Sequence, residues 1–216
     1  MADLPSPLLF LPLVPRSAWG HDSALLPERL HHGRQERDSP DGHLQSTSNV
    51  PLRVGKGSSY EGGVRVPAIV HWPGVTRAGS DCREPIVSPD FYPTILAMAG
   101  AQGHPTHNMH VDGMNLLPLL KDPAHRLNRE AIYWHYPHYH PGGATPYGAV
   151  RAGDWRLVEF YEDGHADLYN LRDDIGERNN LALQMPKKTA ELRQKLQMRR
   201  ESVHAQLPTA NPNYKP

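Results

Sequence analysis

The sequence predicts an α/β fold that ends in a small antiparallel sheet and a terminal helix. An apolar, β-branched run at residues 64–70, followed by a helix-like segment at 91–99, is typical of an α/β layer. Four short strand-like segments joined by glycine-containing turns predict a four-stranded antiparallel sheet. Leucines at helical spacing after Pro186 predict a terminal amphipathic helix.

Each element carries local signals for its bounds. Pro67 lies near the start or edge of the first run, where a strand tolerates proline. Ser88-Pro89-Asp90 is a helix-start signature, and Gly100 ends that helix. The leucines between 116 and 120 predict a helical turn packed on the core. The four strands are expected at residues 131–135, 147–151, 155–160 and 166–170.

The terminal helix is expected to have one apolar and one basic face. The apolar face is formed by Leu192, Leu196, Val203 and Leu207. The basic residues on the other side are expected to form a solvated face.

Residues 1–45 read as a low-order leader of unassigned origin, because prolines interrupt every periodic run. The apolar stretch at residues 8–14 is too short to cross a bilayer, so we expect no membrane partner. It is also an unconvincing signal peptide, since Asp3 and no basic residue precedes it.

Composition excludes several classes of protein. The chain has 216 residues, of which 38% are hydrophobic, enough for a modest core. Its 23 basic and 23 acidic residues balance, so no broad basic field is available to bind nucleic acid. The single cysteine, Cys82, excludes an internal disulfide and a multi-cysteine zinc site. The 14 histidines are the first lead to function.

Residues 51–67 read PLRVGKGSSYEGGVRVP and closely resemble a signature segment of the sulfatase family. The resemblance continues in sequence order through segments 72–74, 90–96, 112–120, 153–157 and 168–181. It covers about residues 46–216 and begins abruptly.

The resemblance implies an alkaline-phosphatase-like α/β enzyme that hydrolyses sulfate esters of carbohydrates or aryl alcohols. On this basis residues 46–127 are the C-terminal part of the catalytic α/β sheet domain, and residues 128–216 are a small C-terminal subdomain. The resemblance implies a periplasmic or secreted protein. Because the chain has no convincing signal peptide, its location stays open. Members of this family use calcium and a formylglycine made from cysteine or serine.

The motifs that carry this chemistry are missing from the sequence. No Cys/Ser-x-Pro-x-Arg motif is present, and Cys82 lacks the required proline and arginine after it. The calcium-binding Asp-Asn-Gly is also missing; Asp41-Gly42 is a weak substitute that reads more simply as a turn. We therefore expect formylglycine and calcium ligands to be absent, the chain to be inactive alone, and a missing N-terminal sulfatase portion to be its partner.

Lys56 is the predicted catalytic residue, as a contact to the sulfate. Its flexible ammonium stands between Gly55 and Gly57, which allow close approach of the backbone, and the family uses a lysine here in this way. The alternative is an ordinary surface lysine in a glycine loop. Arg65 is expected to pair with Glu61 and to hold the shape of the loop.

The segment WHYPHYHP at residues 134–141 concentrates aromatic and titratable groups. One hypothesis makes it a rim that contacts a sulfated sugar, with His135 and His138 as substrate-binding residues. A purely structural aromatic corner is the second hypothesis. The third is a metal pair formed by His138 and His140, which would lie on one side of an extended run but lack a third ligand.

Three hypotheses for the whole chain stay open at this level. The first is the C-terminal region of a sulfatase that acts on a sulfated carbohydrate or aryl sulfate. The second is a binding or orphan module without catalysis, derived from a truncated sulfatase gene. The third is a misread start, in which residues 1–45 come from a shifted reading frame.

Overall fold

The computed structural model describes residues 49–209 and 211–213. The expectations for residues 1–45, including the leader and Asp41-Gly42, lie outside this range. The helices are α1 (Glu61–Val64), α2 (Phe91–Met98), α3 (Pro105–Asn108), α4 (Leu117–Lys121) and α5 (Pro186–Ser202). The strands are β1 (Ile132–Tyr136), β2 (Tyr147–Ala152), β3 (Trp155–Phe160) and β4 (Ala166–Asn170).

The four strands form one antiparallel sheet in the order β1-β2-β3-β4, so neighbours in sequence are neighbours in space. The predicted strands and their antiparallel arrangement are confirmed. The β2–β3 connection is the two-residue turn Gly153-Asp154, and Gly153 has a φ of 58°, which glycine adopts without steric cost. A tight turn of this kind fixes the register of the β2–β3 pair.

The sheet has two different faces. On one, Val150, Leu157 and Leu168 pack against Leu192 and Leu196 of α5, all at most 1% exposed. On the other, Ala149 and Val158 form a second apolar cluster with aromatic side chains of β1, β2 and β3. The alternation of side chains along each strand separates the two clusters.

The terminal helix is confirmed, but its predicted faces need two corrections. Val203 and Leu207 lie beyond the end of α5 and are about half exposed, so the apolar face consists of the two leucines within the helix. The basic face is paired as well as solvated. Its ion pairs include Lys188–Glu191, Arg193–Glu159, Lys195–Glu130, Arg199–Asp112 and Arg200–Glu159.

The strand predicted at residues 64–70 is wrong for this chain. Helix α1 ends at Val64, and the residues that follow are without regular structure. Val66 and Ile69 are 79% and 83% exposed. A strand exists only as part of a ladder, and no strand in the described part of the chain pairs with this segment.

The α2 helix begins at Phe91 and ends before Gly100, as predicted. Its N-terminus is held by Asp90, whose fully buried carboxylate accepts hydrogen bonds from the backbone N–H groups of Val87 and Met114, each at 2.8 Å. Arg129 pairs with the same carboxylate at 2.5 Å. One side chain thus joins the start of α2, the segment before α4 and the approach to β1.

In the described residues, no helix combines the length and hydrophobicity required to span a lipid bilayer.

We expect Asp90→Ala to lower the free energy of unfolding by about 3 kcal/mol or more, because it leaves the largely buried Arg129 guanidinium without its counter-ion. The matched control is Asp81→Ala, whose carboxylate is exposed and pairs with exposed Arg83. The control should change stability by less than about 0.5 kcal/mol. Urea titration followed by tryptophan fluorescence measures both, and equal losses would contradict this role of Asp90.

Candidate functional site

The Lys56 loop, residues 53–60, leads into α1 and lies on the face of the sheet opposite α5. Lys56 is exposed, whereas Gly55, Ser58 and Ser59 around it are buried. The backbone of the loop is therefore packed while the ammonium of Lys56 reaches solvent. This is the arrangement needed to present a cation to an anionic ligand from a fixed position.

A second loop, residues 137–144, packs directly against the Lys56 loop and is called the histidine loop here. A Cβ atom placed on Gly57 would lie 2.3 Å from Nδ1 of His140, so only glycine allows this contact. The backbone N–H of Ala144 donates to the carbonyl of Gly57 at 2.9 Å. The two loops thus form one surface around Lys56.

His140 is held in a defined orientation. The backbone N–H of Gly142 donates to its Nδ1 at 2.8 Å, and its own backbone N–H donates to the carbonyl of Ala144 at 2.9 Å. Because Nδ1 accepts a hydrogen bond, the neutral ring carries its proton on Nε2. In the sequence, His140 stands out only as one member of a possible metal pair, and its contact with Gly57 is a long-range feature without a local signal.

The two predicted substrate-binding histidines lie at different places. His138 is exposed in the histidine loop, with its ring edge-on to Tyr136 at 5.6 Å between centroids. His135 lies on β1 and alternates onto the α5 face, away from Lys56. Its Nδ1 lies 2.8 Å from the hydroxyl of Tyr161, and its Nε2 lies 2.9 Å from the carbonyl of Gln206. The structure therefore brings His138 and His140 into the loop beside Lys56, and not His135.

A buried ionic cluster underlies the Lys56 loop. The guanidinium of Arg156 on β3 is fully buried; its Nη1 donates to Glu61 Oε1 at 2.5 Å, and its Nη2 donates to the carbonyl of Ser59 at 2.6 Å. Glu177 Oε1 lies 3.3 Å from Arg156 Nε, and Glu177 Oε2 accepts the backbone N–H of Glu61 at 2.7 Å. The predicted Arg65–Glu61 pair is present at 3.7 Å.

A second set of contacts fixes the two ends of the loop. Arg53 stacks its guanidinium over the Tyr60 ring, 3.7 Å from the centroid, and donates to the hydroxyl of Tyr169 at 2.8 Å. The hydroxyls of Tyr60 and Tyr169 both donate to Asp167 Oδ2. Burial and the nearby Asp167 carboxylate raise the pKa of Tyr60 to about 12, so this hydroxyl keeps its proton for the bond.

The cluster also changes the acidity of Glu177. Burial is the main cause that raises the pKa of this carboxyl from 4.5 to about 7, while Arg156 acts in the opposite direction. In the sequence, Glu177 lies in a segment of family resemblance and Arg156 in a predicted strand, and neither has a predicted role. Nothing local marks them, since their partners are far away in the sequence.

The described residues do not fit the calcium site that the sulfatase resemblance implies. No group of three or more His, Cys, Asp or Glu side chains converges in residues 49–209 and 211–213 as metal ligands would. Cys82 is exposed in a segment without regular structure.

Lys56, the four-stranded sheet and α5 all lie within a region of the chain that matches a known family. The family model described as N-sulphoglucosamine sulphohydrolase, C-terminal, matches residues 54–206. The chain belongs to this family.

Curated relatives agree with the family model. A sulfatase from Formosa agariphila is 36% identical in an alignment of 152 residues, and the match covers 67% of this chain and 28% of the relative. Human arylsulfatase A is also 36% identical in an alignment of 152 residues, and the match covers 60% of this chain and 28% of the relative. The chain thus spans 28% of the length of each of these two proteins.

Two solved structures that contain a bound ligand share the fold. Ps i-CgsB in complex with k-i-k-neocarrahexaose has a TM-score of 0.60 and 30% identity, and the match covers 75% of this chain and 34% of that one. BT4656 in complex with its substrate D-glucosamine-2-N,6-O-disulfate has a TM-score of 0.51 and 28% identity, covering 62% and 27%. The predicted α/β fold class and sulfatase family are confirmed.

We expect Gly57→Ala to destabilise the chain more than Gly143→Ala does. Both glycines have positive φ angles, 85° and 98°, so alanine costs about 1–2 kcal/mol of backbone strain at either position. Only at position 57 does the new methyl group meet His140, whereas nothing lies within 4 Å of position 143. That contact should add about 1–3 kcal/mol. Urea unfolding of both variants checks the difference, and equal costs would show that the two loops are not packed together.

Glu177→Gln should make stability less dependent on pH. Between the ordinary pKa of 4.5 and the raised value of about 7, the folded chain holds a proton that the unfolded chain has released. Stability therefore falls as the pH rises through this window, by up to about 3 kcal/mol. Glutamine does not titrate and removes this loss.

The measurement is the free energy of unfolding of both proteins at about pH 5 and about pH 8, on either side of the window. Glu201→Gln, which changes an exposed carboxyl of α5, is the control and should follow the unmodified chain. A difference between Glu177→Gln and the unmodified chain that stays the same at both pH values would refute the raised pKa.

Proposed function

We propose that this chain is the part of a sulfatase that contributes Lys56 to the binding of the sulfate group during hydrolysis of a sulfate ester. The observation that carries the proposal is the exposed ammonium of Lys56 on a packed glycine loop, beside the histidine loop. Residues 46–127 are assigned to the catalytic α/β domain and residues 128–216 to the small C-terminal subdomain.

The chemistry of the site suits a sulfate oxygen. The Lys56 ammonium offsets negative charge on the sulfate, and the contact strengthens if that charge grows as the ester bond breaks. His140, with Nδ1 already accepting a bond, has an Nε2–H available as a donor. His138 lies on the exposed side of the same loop and is assigned to the sugar or aryl group that carries the sulfate.

His135 has a different place in the proposal. Its Nδ1 lies within hydrogen-bond distance of the Tyr161 hydroxyl, and its Nε2 lies within hydrogen-bond distance of the Gln206 carbonyl in the C-terminal segment. A contact with substrate would require one of these bonds to be given up. We therefore assign the substrate rim to His138 and His140 and a structural role to His135.

The nucleophile and the calcium ion are not assigned to residues of this chain. The described side chains do not form a calcium site, and Cys82 lacks the sequence context for formylglycine. In this proposal a further sulfatase portion supplies both, and the isolated chain binds sulfate esters without hydrolysing them. The ligands of Ps i-CgsB and BT4656 support a sulfated carbohydrate as the substrate class.

A second function, binding of sulfated carbohydrate without catalysis, is favoured by one observation. The Lys56 loop and the histidine loop both lie within the described residues and are fixed by contacts among those residues. In this second proposal, the two loops bind the anion without groups from elsewhere.

We expect the chain to bind D-glucosamine-2-N,6-O-disulfate. Lys56→Ala should weaken this binding, because it removes the ammonium that offsets the negative charge of the sulfate. The control is Lys187→Ala, which removes an exposed lysine on α5. Calorimetric titration at low and high salt measures the affinity, which should fall as salt rises.

The same proteins are then incubated with an aryl sulfate and calcium, and no turnover is expected from any of them. Turnover by the unmodified chain above the Lys56→Ala level would overturn the statement that the chain alone is inactive. Equal affinities of Lys56→Ala and Lys187→Ala would overturn the role of Lys56.

A further inference from the structure

We propose that Arg156 is a positioning residue for Lys56, and that the small sheet controls the sulfate contact through it. The inference rests on the proposed function of Lys56. Arg156 does not reach the exposed surface where an anion would bind, since its side chain is fully buried. Its effect is exerted on the backbone that carries Lys56.

The guanidinium binds the chain at two points that follow Lys56 closely. Its Nη2 donates to the carbonyl of Ser59, and its Nη1 donates to the carboxylate of Glu61, the first residue of α1. With both points fixed, the loop between Lys56 and α1 has little freedom to move relative to β3. The planar fork of arginine is needed for this, because a lysine ammonium cannot reach two such acceptors with the same geometry.

Arg156 is itself held on its remaining sides. The indole of Trp134 lies under the guanidinium at 4.9 Å, and Glu177 Oε1 lies 3.3 Å from Nε. Glu177 also accepts the backbone N–H of Glu61, so the carboxylate closes a ring of contacts between the sheet and the loop. A rotation of Arg156 would break several of these contacts together.

The other cations near Glu61 are weaker candidates for this role. Arg65 and Arg151 lie 3.7 Å and 3.6 Å from Glu61 Oε2, longer than the 2.5 Å contact made by Arg156. The side chain of Arg65 is also 49% exposed, which reduces the strength of its interaction with Glu61. Arg65→Ala is therefore a suitable control, because it removes a cation from the same carboxylate but leaves the buried fork in place.

The experiment compares the full 216-residue chain with Arg156→Met, Arg156→Lys and Arg65→Ala. Hydrogen exchange measured by mass spectrometry reports on residues 53–64 and, as an internal reference, on α5. Titration with D-glucosamine-2-N,6-O-disulfate reports on the site. A purely structural residue would affect both segments, whereas a positioning residue affects the loop and the affinity.

For Arg156→Met we expect exchange in residues 53–64 to be at least about tenfold faster, with α5 much less affected. The affinity for the disulfate should fall to the level of Lys56→Ala. Arg156→Lys should give intermediate values for both, and Arg65→Ala should resemble the unmodified chain. If Arg156→Met does not fold, the comparison of Arg156→Lys with Arg65→Ala carries the same prediction.

Unchanged exchange in residues 53–64 would overturn the proposal, and so would equal acceleration in α5, which would make Arg156 a residue of the fold as a whole. If exchange accelerates only in the loop while the unmodified chain does not bind the disulfate, Arg156 still holds the loop. In that case the proposed function of Lys56 is what fails.

Discussion

The arrangement of the Lys56 loop on the sheet depends on one buried charge, the guanidinium of Arg156. Removing a charge from water costs several kcal/mol, and the cost is recovered only when counter-charges and hydrogen bonds surround it closely. Here two carboxylates, a backbone carbonyl and an indole do so, from Glu61, Glu177, Ser59 and Trp134. Since Glu61 and Ser59 belong to the loop segment, Arg156 is satisfied only when the loop closes on the sheet.

This requirement couples two parts of the chain that sequence resemblance would assign to different units. The Lys56 loop belongs to the region resembling a catalytic domain, whereas Arg156 and Glu177 belong to the small subdomain. Glu61 and Glu177 both lie beside Arg156, and burial raises the pKa of Glu177 to about 7 although Arg156 acts in the opposite direction. The cluster is therefore sensitive to pH near neutrality, while the apolar contacts with α5 on the opposite face are not.

Sequence reasoning succeeded where the signal is local. The four strands, α2 and α5 could be predicted because alternation, glycine turns and helix-start residues act within a few positions. Lys56 could be singled out because glycines flank it and a recognisable motif surrounds it. His140 and Arg156 could not be placed, because their importance comes from contacts with Gly57 and Glu61, which the fold brings near them. The face of the sheet on which His135 lies could likewise not be predicted, because it depends on how β1 pairs with β2.

The strand that was predicted at residues 64–70 but does not form shows that a local pattern is not sufficient for a strand. Its β-branched composition is typical of a buried strand, yet composition supplies no hydrogen-bonding partner, and Val66 and Ile69 remain exposed. The neighbouring Lys56 loop has no regular structure of its own, but it is held by the ionic cluster. Order in this part of the chain therefore follows the availability of partners rather than the propensity of the residues, which explains why the loop is fixed and the strand-like segment beside it is unpaired.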